Sequence, residues 1–302
     1  MVNFYKVIGS MFSERWPVTA IKFYNRAYLI KEESRNIELL MDMAVTYDRL
    51  EDTAAADKKY REVLAINPQE SGAWYGLAVL YDNLKKYDMA IEYYKKAIDI
   101  DPDYDRAYFF LANVFDEIGE KEKAITYYKK VIELVPDDFW ANNNIGTIYE
   151  ELGQDDMAME MFRKCLQIDS GHYKTLFNMG VVLQKIGYNQ KAEDYYIQSI
   201  QSNPEYPYSH LNLAILYKDK GDFEKAVDVI SRGIDFNDTA SFLYYNRACF
   251  YVHLNCLEKA IEDLFRATQI SPELVEYMKK DEELNPLKKL EVYQRQWGNE
   301  YH

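Results

Sequence analysis

The most reactive side chains in this sequence lie close together near its C-terminal end. Asn246, Cys249 and His253 stand at i, i+3 and i+7, which on a helix places them on one face. A thiol, an imidazole and an amide together could make a Cys-His nucleophile pair. Cys249, His253 and Cys256 also spell Cys-x3-His-x2-Cys, one ligand short of a tetrahedral zinc set. The supporting features are missing. No oxyanion donors are legible, and no Gly-rich phosphate loop, zinc-spaced Cys/His set or Ser-His-Asp context accompanies these residues. Thiol or metal chemistry at Cys249 and His253 is therefore a remote alternative. The sequence predicts no enzyme, no metal and no cofactor.

Two further sets of polar residues recur at a fixed step. Asn144, Asn178, Asn212 and Asn246 each follow the last by 34 residues, as do Asp48, Asp82, Asp116 and Glu150. A side-chain amide donates and accepts at once. A row of amides can therefore pair with the backbone of an extended peptide without reading its sequence, at about 1 kcal/mol per bond. A row of carboxylates would favour a basic ligand.

Groups spaced at 34 residues need a scaffold of the same period. Ala56, Ala90, Ala124, Ala158, Ala192, Ala226 and Ala260 mark it, and a period of this length means stacked repeats. Within the unit Ser71–Tyr104, Trp74, Leu77, Ala78 and Tyr81 share one helical face. Ala90, Tyr94 and Ala97 repeat the pattern on a second helix, and Pro102 closes the unit. The register runs without gaps from Ile37 to Leu274, in units starting at Ile37, Ser71, Asp105, Phe139, Tyr173, Pro207 and Ser241. The eighth position is always small: Ala44, Ala78, Ala112, Gly146, Gly180, Ala214 and Ala248. Together with the recurring alanine, it lets the two helices approach closely. Gly119, Gly153, Gly187 and Gly221 fall where a left-handed residue should end the first helix. The recurring acids lie near that end and oppose the helix dipole, so helix stability does not account for them.

The Trp/Leu-x-x-Leu-Ala-x-x-Tyr string, the alanine pair and the closing proline resemble the tetratricopeptide repeat family. The resemblance implies an all-α fold, a right-handed superhelical α-solenoid of helix-turn-helix repeats. First helices would line its concave face and second helices its convex face. The implied organisation is a degenerate repeat over residues 1–36, then seven contiguous repeats (37–70, 71–104, 105–138, 139–172, 173–206, 207–240 and 241–274), then C-terminal capping helices over 275–302. Ala20, Tyr24 and Ala27 mark the degenerate repeat, and their spacing to Ala56 implies a two-residue insertion near Glu33–Asn36. Leu274–Lys280 reads as one more first helix. Beyond Asn285-Pro286, Leu287, Leu290, Tyr293 and Trp297 mark one final amphipathic helix. This segment is similar to the terminal segment of many bacterial tetratricopeptide proteins and is expected to cover the last repeat's apolar face.

Carried over residue by residue, the family's groove-facing positions are the second, fifth, sixth, ninth, twelfth and thirteenth of each first helix. The asparagines hold the sixth, a pattern similar to the asparagine ladder of the O-linked N-acetylglucosamine transferase repeats. Asp82, Asp116 and Glu150 hold the twelfth. Tyr75, Phe109, Phe110, Trp140, Phe177, Tyr208, Phe242 and Tyr245 would point inward as anchors. One subfamily grips C-terminal carboxylates with Lys, Asn, Asn, Lys and Arg. Here Asn113, Asn144 and Lys174 match, but Phe109 and Asn178 replace the first Lys and the Arg. Strong carboxylate capture is therefore not expected, and Asn113 and Lys174 join the peptide-binding set. Arg247 stands where other repeats have Leu, Met or Ile, and Asp263 on the paired helix is its expected ion-pair partner.

The net charge of −14 argues against nucleic acid and anionic lipid, which call for clustered cations. Cys165, Cys249 and Cys256 form no disulfide framework, which points to a reducing compartment. The first residues lack a signal-peptide pattern, and no stretch approaches the ~18 apolar residues of a membrane span. The reading is a cytoplasmic, non-enzymatic scaffold, monomeric or weakly homo-oligomeric. It would bind an extended peptide or helix of a protein partner, of basic character, in its groove, with no nucleic acid or membrane partner. The alternative is a self-associating structural module without a peptide ligand.

Overall fold

The computed structural model describes residues 4–30 and 35–298. Among these residues it contains nineteen α-helices, one 3-10 helix and no strand, and the chain is an α-solenoid. The first two helices are Phe4–Phe12 and Pro17–Tyr28. Seven repeats follow, each a 13-residue helix, a short turn and a 14-residue helix, from Ile37–Arg49 with Thr53–Ile66 to Ser241–His253 with Leu257–Ile270. The insertion expected at Glu33–Asn36 falls partly outside the described residues.

The period is a packing rule. The recurring alanines of the second helices, Ala56 through Ala260, have no exposed surface, and the small eighth-position residues facing them are buried. Where the first helices end, one residue per repeat takes a left-handed conformation. Gly119, Gly153, Gly187 and Gly221 have φ between 71° and 86°. Glu51, Lys85 and Asn255 adopt the same geometry at φ 55–60° without glycine's freedom. The turn is held in place by backbone hydrogen bonds, such as Glu120 N–H to the Phe115 carbonyl at 2.8 Å.

The chain divides into two compact units, residues 1–148 and 149–302. In the first, Ala20, Tyr24, Ala27, Leu39 and Met43 form a buried cluster under Tyr5, Phe12 and Tyr47. In the second, the apolar core runs from Ala214 to the C-terminal segment, where Met278, Leu284, Leu287, Tyr293 and Trp297 join it. The single terminal helix expected from the sequence is instead two helices, Asn285–Lys288 and Glu291–Trp297. Leu290 between them is extended, with φ −79° and ψ 139°. On one continuous helix Leu287 and Tyr293 would point about 120° apart. The break lets both side chains reach the same core, where each is at most 2% exposed.

Candidate functional site

The buried tyrosines of the second helices organise the first-helix face. In the first unit, Tyr128 donates its hydroxyl hydrogen to Asn113 Oδ1 and accepts from Asn144 Nδ2 at 2.9 Å. Tyr94 donates to Asp82 Oδ2 at 3.2 Å. In the second unit, Tyr196 donates to Gln184 Oε1 at 2.8 Å and accepts from Asn212 Nδ2 at 3.5 Å. One hydroxyl thus ties its own repeat's first helix to that of the next. Burial raises the pKa of Tyr94 and Tyr128, and that of Tyr196 to about 12, so these groups stay protonated donors. In a repeat without a polar residue at the sixth position the tyrosine ring packs closely there instead. A Cβ on Gly76 would lie 2.3 Å from the Tyr60 ring.

The asparagine series is therefore not uniform. Asn144 and Asn212 each spend an amide hydrogen on the tyrosine sixteen residues earlier. Ile230 holds that place before Asn246, whose amide turns back to the Phe242 carbonyl at 2.8 Å. Phe162 holds it before Asn178, and Asn178 makes no side-chain hydrogen bond to a described residue. Replacing Tyr128 with Phe is expected to lower stability by about 1–2 kcal/mol, because two half-buried amides lose their shared partner. A urea midpoint that does not move would contradict the shared-hydroxyl account.

The acids are partly neutralised from within. Burial raises the pKa of Asp82, against the lowering effect of the Tyr94 hydrogen bond. Asp116 pairs with Lys121 at 2.7 Å in the first unit. In the second, Glu150 lies 3.8 Å from Lys185, whose Nζ also reaches Asp155 at 2.9 Å. Sequence spacing could not show these lysines, because they come from other helices or turns.

The aromatics form continuous rows within each unit. In the first, the Tyr75 ring lies 5.0 Å from Tyr104 and 5.9 Å from Tyr94, with the Arg106 guanidinium at 5.6 Å. Phe109 meets Tyr128 edge-on at 5.6 Å, and Trp140 is 56% exposed. In the second, Tyr206 lies 5.0 Å from Tyr173, 5.4 Å from Phe177 and 5.4 Å from Tyr208. Tyr208 in turn stacks on Phe242 at 5.3 Å and 11°. Exposed Lys174 lies over the Tyr173 ring at 5.9 Å. Tyr173 and Tyr206 extend this row and were not among the expected anchors. Their shared signal was a tyrosine flanking the start of a first helix.

One expectation at the last repeat needs correction, and the remote thiol alternative there loses its geometry. Tyr245 is no exposed anchor. It is 7% exposed and donates its hydroxyl to Asp281, because the C-terminal segment folds over it. Cys249 is only 3% exposed, and burial, with nearby Asp281 and Glu283 adding to it, pushes its thiol up to about 12. A thiol that stays protonated is no nucleophile. His253 is exposed, stacks on Phe223 at 4.3 Å and sits 3.9 Å from Glu283. Among the described residues no group of three or more His, Cys, Asp or Glu converges to hold a metal. Lys218 also pairs with Glu283, so the same acidic turn occupies this end of the surface. The expected Arg247–Asp263 bridge is present and bidentate, with both contacts at 2.7 Å.

Models of the tetratricopeptide repeat match residues 71–104, 117–153 and, in five further copies, 37–70, 141–172, 173–206, 207–239 and 243–274. The chain belongs to the tetratricopeptide repeat family. Proteins of this family serve in general as protein-interaction scaffolds. Comparison with curated proteins finds no match. Among solved structures, the C-terminal part of a tetratricopeptide protein from Cytophaga hutchinsonii is 18% identical. That match covers 78% of this chain and 97% of that one, at a TM-score of 0.67. The Pseudomonas aeruginosa pilF protein is 21% identical over 70% of this chain and 96% of its own, at 0.58. The APC/C hetero-tetramer Cut9-Hcn1 is 17% identical over 92% of this chain and 53% of that one, at 0.56. These likenesses show the tetratricopeptide fold. No helix among the described residues is long and apolar enough to cross a membrane.

Proposed function

We propose that this tetratricopeptide chain is a non-enzymatic scaffold that holds an extended segment or helix of a partner protein against its first helices. The observation that carries the reading is the aromatic row of the second unit, in which Tyr208 remains 48% exposed while stacked on Phe242. Rigid aromatics already held by neighbours lose little entropy on binding and make good anchors. Asn178, one residue from Phe177 and without a hydrogen-bond partner among the described residues, is the rung best placed to bond a ligand's backbone. In this reading Asn144, Asn212 and Asn246 contribute mainly their carbonyl oxygens, since an amide hydrogen of each is already engaged. In the first unit Tyr75, Phe109 and Trp140 offer anchors beside Asp82 and Asp116. Their carboxylates favour basic side chains, less strongly than a free strip would because Lys121 pairs with Asp116.

The test is selection of peptides from a random display library on the full chain, followed by affinity measurement of the selected peptides. Tyr208→Ala is expected to weaken binding about tenfold to thirtyfold, and Asn178→Ala about fivefold, with helicity unchanged. Failure to select any peptide, or affinities that neither substitution moves, would overturn the reading.

A further inference from the structure

Some tyrosine hydroxyls of the second unit are already committed within the protein. Tyr196 is engaged by Gln184 and Asn212, Tyr217 by Glu193 and Tyr245 by Asp281. The hydroxyls of Tyr173, Tyr206 and Tyr208 bond no described residue. These three belong to one aromatic row, with Phe177 beside Tyr206 and Phe242 beside Tyr208. Tyr206 meets Phe177 at 83° and Tyr173 at 63°. Rings crossed this steeply cannot cover one another's faces. Tyr208 is exposed and the other four rings are half-buried. Burial raises the pKa of Tyr206, and nearby Tyr208 and Tyr173 add to it, so its hydroxyl stays a donor at neutral pH.

The row is thus an apolar floor edged by donors, and it lacks matching acceptors. Among the described residues no strand edge is present to pair with a ligand's backbone, and helices engage their own backbone groups. The side-chain oxygens of Asn212 and Asn246 stand at the sixth position, one helical turn beyond Tyr208 and Phe242 at the second. A peptide N–H laid over the rings would go unpaired, at the full desolvation cost of the group. Proline has no N–H to leave unpaired, and its carbonyl still accepts. Charge agrees with this. Beyond Glu150, which lies near Lys185, the twelfth position holds Gln184, Lys218 and Val252, so no acidic strip here favours a basic ligand.

Given the ligand surface proposed above, on which this rests, we infer that the row Tyr173–Tyr206–Tyr208–Phe242 takes a proline-rich segment of a partner protein, bound as an extended left-handed helix. Pyrrolidine rings lie against the aromatic faces, and the three hydroxyls and the Asn178 amide donate to the carbonyls between them. Such a segment is extended before it binds, so little ordering entropy is lost.

The test is fluorescence anisotropy of the full chain with two labelled peptides of equal length, an oligoproline and one of alternating glycine and serine. The oligoproline is expected to bind at least tenfold tighter. Tyr206→Phe/Tyr208→Phe keeps both rings and should weaken that binding about tenfold, through two lost hydrogen bonds. Tyr208→Ala should weaken it about tenfold to thirtyfold. Circular dichroism should show unchanged helicity in both variants. Oligoproline binding no tighter than the control overturns the inference, as does binding that the double Phe variant retains in full. Library-selected peptides that depend on Tyr208 but carry no excess of proline overturn the proline-rich occupant and leave the ligand surface standing. Failure of both the library and the oligoproline to bind overturns both.

Discussion

Asp263→Val is expected to destabilise the protein by about 3–5 kcal/mol, read as a loss of urea midpoint at unchanged slope. Asp263 is buried and Arg247 partly buried, with side-chain exposures of 8% and 18%. The guanidinium is forked onto the carboxylate at 2.7 Å on both arms and donates a further bond to Ser231 Oγ at 3.0 Å. Removing the carboxylate leaves a buried cation with one hydroxyl partner. The decisive comparison is the double variant Arg247→Leu/Asp263→Val. It reproduces the pair Leu213 and Val229 that the preceding repeat carries at the same positions. A buried ion pair repays little more than its own desolvation, so the double variant should be as stable as the parent or more so. If the double variant is as unstable as the single one, the pair contributes net stability, contrary to this account.

Trp297→Ala is expected to cost about 3–5 kcal/mol. Trp297 is 7% exposed, with its ring 4.7 Å from Phe265 and 5.1 Å from Tyr293. Its loss opens the apolar face of the last repeat that the C-terminal segment covers. A solenoid's end must be covered because each repeat buries its apolar face only against a neighbour. Loss of stability confined to the second unit, seen as faster amide exchange around Leu264 and Ala267, would show that the cover acts locally. An unchanged thermal midpoint would contradict the capping role.

The scaffold was legible because its rules are local. The alanine period, the small eighth position and the left-handed turn each depend on contacts within one repeat or between adjacent repeats, so each leaves a residue at a fixed step. Glu51, Lys85 and Asn255 show the limit of even that. The turn geometry persists where the glycine signal is gone, because the flanking helices impose it. The candidate surface was less legible. Asn144, Asn178, Asn212 and Asn246 look equivalent in sequence, yet their partners depend on whether Tyr128, Phe162, Tyr196 or Ile230 stands sixteen residues earlier. That dependence was readable in principle from the recurring tyrosines, had they been treated as hydrogen-bonding groups as well as packing residues.

The sequence by itself determined the repeat, its helix pairs, its family and the Arg247–Asp263 pair, since a charge at an apolar position demands its counter-charge nearby. Only the tertiary structure decided which polar groups are spoken for. Tyr245 and Cys249 are covered by a segment more than thirty residues away, and Lys218 meets Glu283 across 65 residues. Such contacts follow no period. They arise where the chain folds back on itself, and there burial and charge depend on what covers a residue, whatever its place in the repeat.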